Sequence, residues 1–278
     1  MKTVRRFLWM VAGLSMFFST GVSAQQAEPE WHPMLKAIWE DQDSWQLITP
    51  ADLKLAPDKF VGLHAEYERG ENLTSDPLIE QVAFQFEQGW LNGKPALIAR
   101  YVTSGDPDRP ESGPSHWTHI LEPTTMTVVE GISGSTRWGA FAERATAEGT
   151  WRWDLPTDAE EWSHSDFTED ELPMMDLALW GHLLASIPLV TGKEFRVQGR
   201  ATWVGPAFRV RGEASFEDVH GNRHDAWAVE TNMGRNGWVG TTYVVDEAPY
   251  LIGFEMKHVE RGDVNIRWRL KGFTQMGG

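Results

Sequence analysis

The chain has 278 residues, of which 25 are Lys or Arg and 40 are Asp or Glu, giving a formal charge of −15 at pH 7, and it has no cysteine. An acid excess of this size opposes binding to nucleic acid or to an anionic membrane surface. The missing cysteine excludes disulfides, thiolate zinc sites, cysteine nucleophiles and lipoprotein-type acylation together.

Residues 1–24 read as an export leader. Lys2, Arg5 and Arg6 form a positive start, Phe7 to Phe18 an apolar run, and Val22-Ser23-Ala24 a small-residue cleavage site, so cleavage is expected after Ala24. The apolar run of about twelve residues falls short of the roughly twenty that a membrane helix needs. No later segment reaches that length uncharged, so the mature chain is expected to have no membrane span. Arg5-Arg6-Phe7-Leu8 lacks one residue of a twin-arginine pattern. Sec-type export to the periplasm is therefore expected, with an extracellular destination as the variant. Losing three cations and no acid takes the mature part to −18 over 254 residues.

The mature chain opens on a helical lead-in, 25–57. Trp31, Leu35, Ile38 and Trp39 recur at helical spacing and predict a short helix ending before Pro50. A single β-domain is expected over 58–278. From Phe60 the period changes to two, and Arg69 to Pro77 is rich in turn residues. Val82, Phe84 and Phe86 share a face, Asn92-Gly93 is a two-residue turn signal, and Ala96 to Val102 returns, which predicts a hairpin. Ser104 to Ser115 is a loop. Strands are expected over 117–121, 126–130, 136–142 and 150–153, and the acidic segment 154–171 is expected to be irregular.

Pro173 suits a first helical turn, and the apolar residues up to Leu184 predict a buried helix over 173–187. A meander follows, with strands over 195–203, 208–216, 226–231, 237–245, 250–259 and 264–272. Gly205-Pro206, His220-Gly221-Asn222 and Arg261-Gly262-Asp263 supply turns between them. The fold expected is mainly β: a curved antiparallel sheet, as a half-barrel or open barrel, crossed by one buried helix, with a short N-terminal helix. A sandwich is the alternative.

No catalytic residue emerges. His116 and His119 are three apart in a strand and so point to opposite faces. His220, His224 and Asp225 flank a turn, and His164 and Asp166 sit in the acidic segment; none has a third metal ligand at a telling distance. Gly131-Ile132-Ser133-Gly134-Ser135 departs from the G-x-S-x-G elbow and reads as a turn between strands. Glu213, Glu230 and Glu255 are strand acids open to glycoside chemistry. Asn72-Leu73-Thr74 fits a glycosylation acceptor, but the leader is of bacterial type. No cofactor and no metal are expected.

Tryptophan is the compositional outlier at 15 residues, suited to a wide apolar interior and to platforms for sugars or lipids. Trp180, Trp203, Phe208, Trp227 and Trp268 are the candidate lining of a hydrophobic ligand site.

The segment Ile187-Pro188-Leu189-Val190-Thr191-Gly192-Lys193-Glu194-Phe195 resembles the entry to the meander in a family of bacterial periplasmic β-rich proteins. Trp238 to Val245, Asp246-Glu247-Ala248-Pro249-Tyr250 and Trp268-Arg269-Leu270 follow in that family's order. The match extends over about Thr118 to Phe273. That family is distantly similar to the periplasmic lipoprotein carriers, half-barrels with a helix across an apolar concave side. The resemblance implies that fold and a hydrophobic ligand, and it carries over no catalytic residue. One departure is the arginine content of the meander: Arg196, Arg200, Arg209 and Arg211 would favour an anionic ligand if they faced inwards.

The function expected is a periplasmic binding or carrier protein for a lipid or other amphipathic molecule, with the 173–187 helix as a lid. An envelope assembly factor working through envelope proteins is the alternative, and an exported glycan hydrolase the second.

Overall fold

The computed structural model describes residues 39, 41–54, 57–71, 73, 78–106, 108, 113–135, 139–145, 149–155, 163–166, 175–176, 179–197, 199–200, 207–233 and 237–276. The first half supplies strands β1 (Gln46–Ile48), β2 (Leu63–Glu71), β3 (Leu78–Leu91), β4 (Lys94–Thr103), β5 (Ser115–Leu121) and β6 (Val128–Ser135). Then come β7 (Gly139–Ala145), β8 (Gly149–Leu155), β9 (Ser163–Asp166), β10 (Met175–Asp176) and a helix, α1 (Trp180–Ala185). The meander comprises β11 (Glu194–Val197), β12 (Gly199–Arg200), β13 (Ala207–Glu217), β14 (Arg223–Asn232), β15 (Trp238–Val244), β16 (Leu251–His258) and β17 (Val264–Gln275).

Fifteen of these described strands form one sheet in the order β1-β11-β13-β14-β15-β16-β17-β2-β3-β4-β5-β6-β7-β8-β9. The sheet is curved and open, with β1 and β9 at its edges. It is antiparallel apart from the pairing of β1 with β11, so it is mixed at one edge. The seam between the two meanders is β17 against β2, running from Ile266 opposite Glu71 to Gln275 opposite Leu63 with a bulge at Lys271.

The sequence signals act locally. Asn92 and Gly93 have φ of 51° and 77°, the left-handed pair that joins β3 and β4 as a tight hairpin. Alternation puts Leu63, Ala65 and Tyr67 of β2 and Val82, Phe84 and Phe86 of β3 into the core. On this inner face α1 packs across β15 and β16. Trp180 Nε1 donates to Thr242 Oγ1 at 2.9 Å, and Tyr67 Oη donates to the Leu251 carbonyl at 2.7 Å.

Several expectations are corrected. The buried helix is shorter than 173–187: Met175 and Asp176 are extended and pair in parallel with Gly199 and Arg200, so a strand partner takes the backbone groups that a longer helix would have used. The 195–203 strand is divided between β11 and β12. Residues 163–166 of the supposedly irregular segment pair with β8. Phe60 ends a 3-10 turn, Pro57–Phe60, and Arg69 belongs to β2 and not to a turn. Gly131 to Ser135 is strand, within β6. In the span of the predicted N-terminal helix Trp39 is in helical conformation, whereas Gln42–Ser44 form a 3-10 turn and Gln46–Ile48 a strand.

In β13 a bulge breaks the alternation. Val210 pairs with Val229 but Gly212 with Ala228, so Phe208 and Val210 lie on the opposite face from Phe216. Phe216 stacks on Tyr243 at 4.2 Å over Gly253. A Cβ at Gly253 would meet that ring at 2.2 Å, which is why glycine stands there.

Arg196, Arg209 and Arg211 of the meander face away from the inner side. Arg209 binds Glu194 and lies over the rings of Trp39 and Trp45, at 5.8 and 5.7 Å. Arg196 pairs with Asp43 at 3.2 Å and Arg211 with Glu230 at 3.4 Å. The side chain of Arg200 lies outside the description. For these three, the case for an anionic ligand raised by their positions in the sequence falls away.

Candidate functional site

On the inner face a row of aromatic rings runs from beneath α1 to β5. Trp180 meets Trp268 edge-on at 5.3 Å, Trp268 stacks on Tyr101 at 6.1 Å, Tyr101 meets Trp117 at 5.8 Å, and Trp117 lies parallel to His119 at 6.2 Å. Register builds it: Tyr101 pairs with Phe84 in β3 and with Trp117 in β5, so all three side chains leave the sheet on one side. Burial falls along the row. Trp180 and Trp268 are buried, whereas Tyr101, Trp117 and His119 are half-buried.

Beside Trp268 the same face carries a charged cluster. Arg69 lies opposite Trp268 and Glu80 opposite Arg69 in the ladder. Arg69 Nη1 donates to Tyr101 Oη at 3.0 Å and to Glu80 Oε1 at 2.9 Å, and Nη2 pairs with Glu71. The guanidinium also stands 5.6 Å over the Trp268 ring. Glu80 is only 6% exposed. Two carboxylates thus share one guanidinium. Burial raises the Tyr101 phenol above its ordinary range against the pull of Arg69, which keeps it a neutral O–H.

The residues singled out in the sequence are distributed as follows. Trp180 and Trp268 meet at the head of the aromatic row. Phe208 is buried and stacks on Phe195 at 5.6 Å, Trp227 is half-buried against the main core, and Trp203 lies outside the described residues. Arg69, Glu80, Tyr101 and Trp117 were missed. The signal for Glu80 was present: Leu78, Glu80, Val82, Phe84 and Phe86 keep one period of two, which puts the acid on the core side.

His116 and His119 do take opposite faces: His116 is exposed and His119 lies beside Trp117. Gly134 and Gly131, opposite them in β6, leave room for the two imidazoles. His220 and His224 belong to a turn organised by Asp218. Its carboxylate accepts from the His220 and Asn222 amides, from Asn222 Nδ2 and from His224 Nε2. Although burial opposes it, the bonds from Asn222 and His224 hold that carboxylate well below its ordinary range. Arg261 Nε donates to Asp263 Oδ2 at 2.7 Å across the last turn.

Among the strand acids, Glu255 is buried and held by Arg267 and Lys257, each at 2.7 Å. Burial raises the pKa of Glu230. Both register with Thr241 on the outer side, away from the tryptophan row. Glu213 is exposed. The side chains of His164 and Asp166 lie outside the description.

No protein-family model matches the chain, and no curated protein matches it. Solved structures similar to it include MucB, 11% identical, with 88% of this chain and 60% of that chain covered at a TM-score of 0.33. The chain thus spans 60% of the length of that protein. A DUF1329 family protein from Desulfovibrio piger is 10% identical over 88% of this chain and 92% of that one, at a TM-score of 0.29. A LolA superfamily protein from Nitrosomonas europaea is 9% identical over 83% and 94%, at 0.21. At such TM-scores these neighbours lend no residue, ligand or partner to this chain.

Proposed function

We propose that this chain is an exported periplasmic binding or carrier protein for a lipid or other amphipathic molecule, held on the inner face of the sheet. The observation that carries this reading is the aromatic row: it continues past the cover of α1 and ends on half-buried Tyr101, Trp117 and His119. Beneath α1 the same face is filled by its own side chains, with Trp180, Leu183, Phe254 and Trp268 buried. An apolar moiety therefore first meets the β4–β5 end, and reaches Trp180 and Trp268 only when α1 gives way. Burying apolar surface there is worth about 25 cal/mol per Å², drawn from rings already in place. The leader expected at 1–24 supports the location. Among the described residues no helix is long and apolar enough to cross a membrane.

Native mass spectrometry of protein purified gently from the periplasm, followed by organic extraction, tests the reading. A stoichiometric adduct released as lipid is the expected result. A clean apo mass that delipidation and re-addition of amphiphile do not change overturns it. That outcome favours the second reading, an envelope assembly factor. It draws on Trp90, which is 69% exposed beside the β3–β4 turn and offers an aromatic face that a partner could cover.

A further inference from the structure

We infer that the polar end of the inner face reads the head of the bound amphiphile, and that it takes an uncharged, hydroxyl-bearing head in preference to an anionic one. This rests on the binding reading above and adds the ligand class. Tyr101 Oη accepts from Arg69, and among the described residues its own proton has no acceptor. Glu80 spends Oε1 on Arg69, and among the described residues its Oε2 has no donor. One unspent donor and one unspent acceptor thus meet at Arg69 Nη1, and the buried Nε of the same guanidinium is a further donor without a partner among the described residues. A hydroxyl group matches that pair, because it accepts with its oxygen and donates with its proton.

The apolar neighbours fit the same chemistry. Trp268 and Trp117 lie on either side of Tyr101, at 6.1 and 5.8 Å, and offer ring faces to the C–H side of a polyol while the tail follows the row. Charge excludes the competitor. Arg69 is already engaged by Glu71 and Glu80, so a phosphate or sulfate accepting from Tyr101 would also face the Glu80 carboxylate at a partly buried site, where like charges repel more strongly than in water.

The test titrates the tryptophan fluorescence of the periplasmic protein with octyl glucoside, octyl sulfate and octyltrimethylammonium, all below their micellar concentrations. The tails are equal, so the head decides. The glucoside is expected to bind roughly 10-fold tighter than the sulfate, the scale of one or two neutral hydrogen bonds. Tyr101→Phe keeps the ring and is expected to erase that preference while leaving the sulfate affinity unchanged. Glu80→Gln is expected to relax the exclusion of the sulfate. Free glucose that competes with the glucoside assigns the site to the hydroxyls alone, and a preference without such competition assigns it to hydroxyls presented on a tail. Equal affinity for all three heads, or tightest binding of the ammonium, overturns the inference and leaves the carrier reading intact. Binding of none of them removes the carrier reading itself. The head-group comparison in the unmutated protein stands even where a variant fails to fold.

Discussion

His182 carries two ring nitrogens into an apolar shell. It is fully buried, with Phe86 at 4.6 Å, Phe84 at 5.1 Å and Phe60 at 5.5 Å, and neither nitrogen has a hydrogen-bond partner among the described residues. Burial lowers its pKa from 6.5 to about 3. The unfolded chain therefore takes up a proton that the folded chain refuses. The cost is absent above pH 6.5 and grows as pH falls from there towards 3, by about 1.4 kcal/mol per pH unit. His182→Leu removes a buried polar group without removing a bond. It is expected to raise stability at pH 7 by about 1 kcal/mol and to flatten the acid limb of the urea-unfolding curve measured from pH 7 to 4. An unchanged slope would show that the imidazole is not held neutral. Nothing in the sequence flags His182, since the apolar run around it says that the segment is buried but not which atoms surround the ring.

The β3–β4 hairpin is the element most fully written in its own residues. Both central positions sit at positive φ, and a Cβ on Gly93 would meet no atom within 4 Å, so a substitution there tests backbone conformation alone. Gly93→Val is expected to cost about 1–2 kcal/mol, read as a lower urea midpoint at constant slope; a loss below a few tenths would mean that the turn is not of this type. Two other elements were less legible. Alternation in β13 looks unbroken from Phe208 to Phe216, yet a single extra residue at Arg211 reverses the face. The helix signal from Pro173 onwards was sound in composition and wrong in extent, because a partner 24 residues on pairs with Met175 and Asp176.

Among the described residues, the two meanders become one sheet only through β17 and β2, whose partners Arg269 and Glu68 are 201 positions apart and form a 2.6 Å ion pair. Such a contact forms against a large loop-closure cost and has little local help. Ending the chain at Asp263 removes β17, bares the edges of β16 and β2, and takes Trp268 and Leu270 out of the core. The shortened protein is expected to lose cooperative thermal unfolding and to aggregate in gel filtration, as unpaired edges invite. A monomer with a single sharp transition would mean that the N-terminal meander folds without the seam.

What the sequence by itself determined is the class: period-two alternation, turn residues and one apolar segment are short-range signals, and they specify a β-rich sheet with a buried helix wherever the chain closes on itself. It also placed Trp180 and Trp268 among the apolar lining candidates, and the structure sets them ring to ring. What only the tertiary structure decided is which faces meet. Arg69 read as part of a turn and Trp117 as the start of a strand, and Glu80 was not singled out; they converge because β2, β3, β4 and β5 register against one another and β17 closes on β2. Hydrogen-bond register between strands is settled by the whole core, and a shift of one residue would have turned each of those side chains to the other face.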